Sequence, residues 1–264
     1  MPMPTNFSLP KGCMGIPPDT LRNPCACGVD VRPNSWDVSI GDVVRRGPKY
    51  VARLVFYGKV RDEEDVKRLC DEYPVRCGVI DVRPETTLAT RLVKSMRKRH
   101  KDFWRAQYNT NPTAIEMTVN ENEHLLTLER TMSMDEVYFA LDKGESLAIP
   151  ENYASIEDGK FAEELKAPTK VPIVWHGEPW WKWTEGADHS FHSLNYMLVA
   201  MKVGKLWQAR TTGITTIKGM TEGPGGVRGR IDGPDDSDYL DPMGSPSEPF
   251  IGEDGSSTWS DRIF

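Results

Sequence analysis

Three aspartates stand in places that packing alone does not explain. Asp30 sits inside "CGVDVR", Asp81 closes "CGVIDVR", and Asp188 opens "GADHSFHSLNY". Each has a simple alternative role. Asp188 is a natural N-cap for the apolar run after it, and Asp81 could cap the helix that follows it. Asp30 is harder to dismiss, because a charge within an apolar strand costs free energy unless it is paired or holds a cation. Brought together without compensating bases, three carboxylates repel one another, so a cluster makes most sense around hard divalent ions. Magnesium and manganese favour such oxygen ligands. Two ions about 3.5–4 Å apart stabilise the attacking and leaving oxygens in phosphodiester cleavage.

The surrounding pattern supplies elements that could gather them. Residues 26–31, 35–44 and 49–60 are apolar or alternating, and "RRGPK" between the last two reads as a hairpin turn. An antiparallel three-strand meander is predicted. Residues 61–73 carry Val66, Leu69, Cys70 and Tyr73 at helical spacing, with acids in the first turn. Pro74 ends that helix and "VRCGVIDV" follows as a strand. A strand–helix–strand unit of this length predicts parallel pairing across a crossover helix. "PETTLATRLVKSMRKRH" is the next helix and "FWRAQYNT" the next strand. "TAIEMTV" reads as a strand, residues 127–144 as a helix with a Lys-Gly stop, and "SLAIP" as a short extended piece. Residues 155–166 read as a helix capped by Ser155. "VPIVWHGEPWWKWTE" reads as an aromatic hairpin, and residues 187–205 as a helix ending at Gly204.

In a mixed α/β sheet of order 3-2-1-4, the first and fourth strands are neighbours. Asp30 and Asp81 would then project from adjacent parallel strands, and a last helix across the sheet would bring Asp188 alongside. In this order, "CGVDVRPNSWDVSIGDVV", "GVIDVRPETTLATRL", "FAEELK" and "ADHSFHSLNYMLVA" resemble the nuclease domain of the large terminase subunit of tailed bacteriophages, a ribonuclease H-like fold. The resemblance covers roughly residues 25–203. It implies a metal-dependent endonuclease that cuts concatemeric double-stranded viral DNA during genome packaging. Asp30, Asp81 and Asp188 would be catalytic and would hold two Mg²⁺ or Mn²⁺ ions. His189 is the first choice for a further ligand and Glu85 the second. The implied partners are an ATPase motor, a portal and a small terminase subunit, and the implied location is the host cytoplasm. The chain departs from the family in having no G-x-x-x-x-G-K-[ST]. It therefore reads as an excised domain or the nuclease half of a split protein, one that cuts but does not translocate. A junction resolvase of the same fold and a non-catalytic docking module for the portal or motor stay open as alternatives.

The totals constrain the remaining choices. A net charge of −6 across 264 residues excludes a uniformly basic nucleic-acid binder, so any basic contact surface has to be local. Residues 91–105 hold seven Lys/Arg and one acid, and Arg91, Lys94, Arg97, Lys98, Arg99 and Lys101 are candidate phosphate contacts if they are not simply a solvated helix end. No apolar run reaches the roughly 18–20 residues that span a bilayer, and the N-terminus lacks a signal-peptide pattern. No membrane partner is expected. Five cysteines at irregular spacing argue against a disulfide framework, and Cys25-x-Cys27 has no second thiolate pair at zinc-finger spacing. His192, one turn from Asp188, is expected to lie against the core, a place near the metals being the alternative; Asp37 and Asp42 are expected to be solvated, and Trp175, Trp180, Trp181 and Trp183 to pack as a hairpin over the core, a DNA-touching loop beside the site being the alternative. The expected organisation is a lead-in over 1–24, a single domain over 25–204, and a flexible acidic tail over 205–264. The tail holds ten of the 22 glycines and ten acids against six bases.

Overall fold

A computed structural model describes residues 13–111, 114–144, 146–184 and 186–207. The strands are β1 (Met14–Gly15), β2 (Cys25–Val31), β3 (Trp36–Arg46), β4 (Lys49–Val60), β5 (Val75–Asp81), β6 (Asp102–Asn109), β7 (Met117–Asn120), β8 (Leu125–Glu129), β9 (Leu147–Ala148), β10 (Lys170–Trp175) and β11 (Glu178–Trp183). The helices are α1 (Glu63–Glu72), α2 (Thr86–Lys98), α3 (Arg130–Lys143), α4 (Lys160–Lys166) and α5 (His189–Val203). The main sheet runs β1-β4-β3-β2-β5-β6-β8-β7, with β9 on β4, and β10 and β11 form a separate hairpin. β2, β3 and β4 pair antiparallel; β5, β6 and β8 continue from β2 in parallel. This is an α/β mixed sheet, and its central order is the predicted one: third, second, first, fourth.

Strand alternation divides the interior in two. Cys27, Val29, Ile40, Ile80 and Phe103 face α1 and α2, where Val66, Leu69, Leu92 and Met96 cover them. Ala26, Val79, Ala106 and Leu126 face α3, α4 and α5 and pack on Met134, Phe161, Leu194 and Met197. With helices on both faces, β2 and β5 read as nearly unbroken apolar runs. α1 follows its sequence signals closely. Asp62 caps it by accepting from the N–H groups of Glu64 and Asp65 at 3.0 and 3.1 Å. Gly144, at φ 57°, closes α3.

Several expectations need correcting. Leu125–Glu129 is a strand, so α3 begins at Arg130 rather than near residue 127. The Glu129 side chain caps it, accepting from Thr131 N and Met132 N at 3.0 and 2.6 Å. Ser155 caps no α-helix. Its hydroxyl donates to Asn152 O within a 3₁₀ segment, and α4 starts at Lys160. Part of the lead-in joins the fold: β1 pairs with β4, and Ile16 N donates to Val55 O at 2.8 Å. At the other end Leu206 is buried in the α5-side core, inside the stretch read as tail. The rest of that tail, residues 208–264, lies outside the described residues. Asp37 and Asp42 are fully buried, not solvated, because β3 is an interior strand. Asp37 meets Arg32 and Tyr57, and Asp42 meets Arg53 and Asn23.

Candidate functional site

Val29 of β2 lies opposite Ile80 of β5, so the next residues, Asp30 and Asp81, leave neighbouring parallel strands at the same end. Alternation places Asp30 with Ala26 and Gly28, and Asp81 with Cys77 and Val79, on the face that α5 covers. α5 crosses β2 with almost no gap. A Cβ at Gly28 would lie 2.1 Å from Ser193 O and 2.2 Å from Met197 N, so only glycine admits the helix this closely. The seat puts the start of α5 over the two strand ends. Asp30, Asp81 and Asp188 line one open cavity of about 420 Å³, together with Arg83, Tyr108, Thr110, Arg130, His189 and His192.

Asp188 occupies the N-cap position of α5, yet its side chain makes no capping hydrogen bond. Another carboxylate does that work. Glu164 of α4 accepts from Ser190 N at 2.9 Å and from Ser190 Oγ at 2.6 Å through the same oxygen. Burial pushes the Glu164 pKa up, but the two Ser190 bonds and the Lys59 and Arg32 cations outweigh it and hold the group below the ordinary value. Tyr57 continues the buried network: its hydroxyl donates to Asp37 Oδ1 at 2.6 Å and lies 2.6 Å from Ser190 Oγ.

Each site carboxylate has its own surroundings. Asp30, 4% exposed, meets His189 Nδ1 at 2.7 Å, and this bond raises the His189 pKa. Asp81 accepts from Arg83 N at 2.9 Å. Burial, opposed by that N–H and reinforced by the charge of Asp30, pushes the Asp81 pKa up to about 6. Asp81 caps no helix; Glu85 holds the N-cap position of α2. Asp188 Oδ2 is buried without an aligned hydrogen bond, 3.2 Å from His192 Nε2. A relay on the far side orients His192. Ser133 Oγ donates to Asn195 Oδ1 at 2.9 Å, Asn195 Nδ2 donates to Tyr108 OH at 2.8 Å, and Tyr108 OH lies 2.8 Å from His192 Nδ1. With its oxygen accepting from Asn195, Tyr108 has its own proton to donate to Nδ1. His192 Nε2 faces Asp188.

Three oxygen donors and two imidazoles make a chemically suitable set for a hard divalent cation, and a buried, hydrogen-bond-free Asp188 oxygen is the kind of atom that a cation would satisfy. Among the described residues, however, no three His, Cys, Asp or Glu side chains already converge as a ready-made cage. The carboxylates are turned toward their separate partners.

The other predicted residues distribute as follows. His189 lines the cavity, whereas Glu85 is exposed and outside its lining. His192 is both core and cavity residue. The basic run covers α2 and the turn after it, and α2 packs on the opposite face of the sheet from α5. Arg91 pairs with Glu63 at 2.7 Å, Arg97 with Asp102 at 2.9 Å, and Arg99 with Asp71. Lys101 donates to the carbonyls of Cys70 and Val75, at the end of β5 away from Asp81. Lys94 and Lys98 make no ion pair among the described residues and line a groove with Thr86, Thr87, Thr90 and Arg91. Sequence reasoning did not single out Arg83, Tyr108, Arg130 or Glu164. Glu164 had a legible signal: it lies on the same helical stripe as Phe161 and Leu165, an acid on an apolar face.

No family model, curated protein or solved structure matches this chain.

Proposed function

We propose that this chain is a metal-dependent DNA endonuclease of the ribonuclease H-like kind, related to the nuclease domain of phage terminase large subunits. The observation that carries the reading is the freed carboxylate. Asp188 stands at a helix start without capping it and shares a cavity with aspartates from two adjacent parallel strand ends. Asp30, Asp81 and Asp188 would hold two Mg²⁺ or Mn²⁺ ions, with His189 as a further donor. When bound, such ions supply charge stabilisation to the attacking and leaving oxygens of a phosphodiester. The chain's own groups contribute the rest. Arg130 is fixed by the Trp183 and Thr184 carbonyls at 3.2 and 3.4 Å and lies over the Tyr108 ring, which places a cation at the cavity wall. Arg83 supplies a second, exposed one. Both suit phosphate oxygens. His192 turns Nε2 toward Asp188 at the cavity wall. Double-stranded DNA is the proposed substrate, and a motor, portal and small terminase subunit are the proposed partners.

The test is cleavage of supercoiled plasmid. The purified chain should nick and linearise it with Mn²⁺ or Mg²⁺. Asp81→Asn should lower the rate by more than about 100-fold while leaving the melting curve intact. Plasmid left uncut by the wild type at every metal and protein concentration refutes the reading.

A further inference from the structure

Helix starts carry N–H groups that need acceptors, and an aspartate at the N-cap ordinarily supplies one. In α5 the acceptor comes from elsewhere. Ser190 is fully buried, and Glu164 takes both its N–H and its hydroxyl. Glu164 is held in place in turn: Lys59 lies 3.4 Å and Arg32 4.0 Å from its other oxygen, and Tyr57 braces the Ser190 hydroxyl at 2.6 Å. Water is excluded from Ser190, so its N–H must find a protein acceptor. Asp188 stands two residues before it, at the N-cap position from which an aspartate ordinarily accepts from that N–H.

We propose that Glu164 is a positioning residue that caps α5 in place of Asp188 and thereby keeps the Asp188 carboxylate in the cavity, available to a divalent cation. This rests on the reading of Asp188 as a cation ligand. With Glu164 removed, the orphaned Ser190 N–H draws the Asp188 side chain into ordinary N-cap geometry and out of the cavity. Glu164 touches no reacting atom; it acts through Ser190 and the helix start.

The experiment measures Mn²⁺ affinity of the full chain by isothermal titration, for the wild type, Glu164→Ala, Glu164→Gln, Asp188→Asn and the Glu164→Ala/Asp188→Asn pair. Glu164→Ala should weaken Mn²⁺ binding at least about tenfold, the loss usual for a supporting residue. The double variant should bind no more weakly than Asp188→Asn alone, because both changes remove the same ligand. Glu164→Gln keeps an amide oxygen for the Ser190 N–H and should stay close to wild type. A purely structural role would lower the melting temperature without moving the affinity of the folded protein, and a loss of affinity that adds to that of Asp188→Asn would show that Glu164 acts by a route other than Asp188. Either result overturns the proposal. If Glu164→Ala does not fold, Glu164→Asp, one methylene too short to reach Ser190, carries the same expectation. A wild type that binds no Mn²⁺ refutes the metal reading itself, and this proposal with it, whereas failure confined to the Glu164 variants refutes only the positioning role.

Discussion

Alanine at Gly28 would drive a methyl carbon to 2.1 Å from the Ser193 carbonyl oxygen and 2.2 Å from the Met197 nitrogen. Contacts of this kind are comfortable near about 3.5 Å, so α5 has to withdraw by roughly 1.4 Å or β2 has to bow away from it. Both obstructing atoms are backbone, and no rotamer change relieves them. Overpacking of this sort costs about 1–3 kcal/mol. At about 2 kcal/mol, a domain of this size should lose roughly 4–8 °C in Tm. The displacement also carries Asp188 away from Asp30 and Asp81, which belong to the sheet. A misplacement of about 1 Å is worth on the order of 100-fold in rate. Val29→Ala is the matched control. Val29 is fully buried on the opposite face, against the α1–α2 side, and losing two methyl groups there costs about 2 kcal/mol without pressing on α5. Thermal melts and Mn²⁺-dependent plasmid cleavage, run where both variants are folded, separate the two effects. Both should melt below wild type, and only Gly28→Ala should lose cutting. Equal cleavage by the two variants would refute the idea that the glycine seat sets the site, and a wild-type Tm for Gly28→Ala would refute the packing argument.

Asp37 gives a pH test. Burial pushes its pKa to about 6, against the opposing Tyr57 bond and Arg32 charge, so the folded state favours the protonated form more than the unfolded chain does. That contribution is complete below about pH 4 and is lost as the pH rises through 6, a swing of roughly 3 kcal/mol at most. Asp37→Asn should flatten the stability profile over this window relative to wild type in urea titrations, and parallel profiles would contradict the assignment. Arg53→Ala leaves the fully buried Asp42 without its cation and should cost about 3–5 kcal/mol by denaturant melts; a loss below 1 kcal/mol would show that Asn23 and rearrangement suffice. If α2 meets DNA, Lys94→Ala with Lys98→Ala should reduce the slope of log affinity against log salt by about 2. An unchanged slope removes that groove from the contact surface.

Much of the sheet was legible because alternation and turn chemistry are local. Gly47-Pro48 marks the β3–β4 turn, and the apolar runs of β2 and β5 announce strands covered on both faces. Asp30 and Asp81 were visible for the same reason, as charges in runs that otherwise exclude them. Asp188 was visible as a residue, but its role was ambiguous between cap and ligand. The contact that takes over the capping, the Glu164–Ser190 bond, joins residues 26 positions apart. No local pattern encodes that contact. Asp37 and Asp42 were misjudged because a polar residue in an alternating strand reads as solvent-facing, and only the sheet order reveals that β3 is an interior strand. Residues 127–129 read as the start of a helix because Leu128 falls in helical spacing with Met132, and pairing with β6 and β7 makes them part of a strand.

The sheet also acts as a partition between two interiors that share no side chains. Changes deep under α1 and α2, at Val66, Leu69, Leu92 or Met96, should alter endurance to heat while leaving the aspartate cavity its shape, whereas Val31 belongs to that core and also lines the cavity. That helix-packed interior, away from Val31, is therefore the place for protein engineers to recruit stabilising substitutions, and the place where a lineage can drift while the cavity keeps its form.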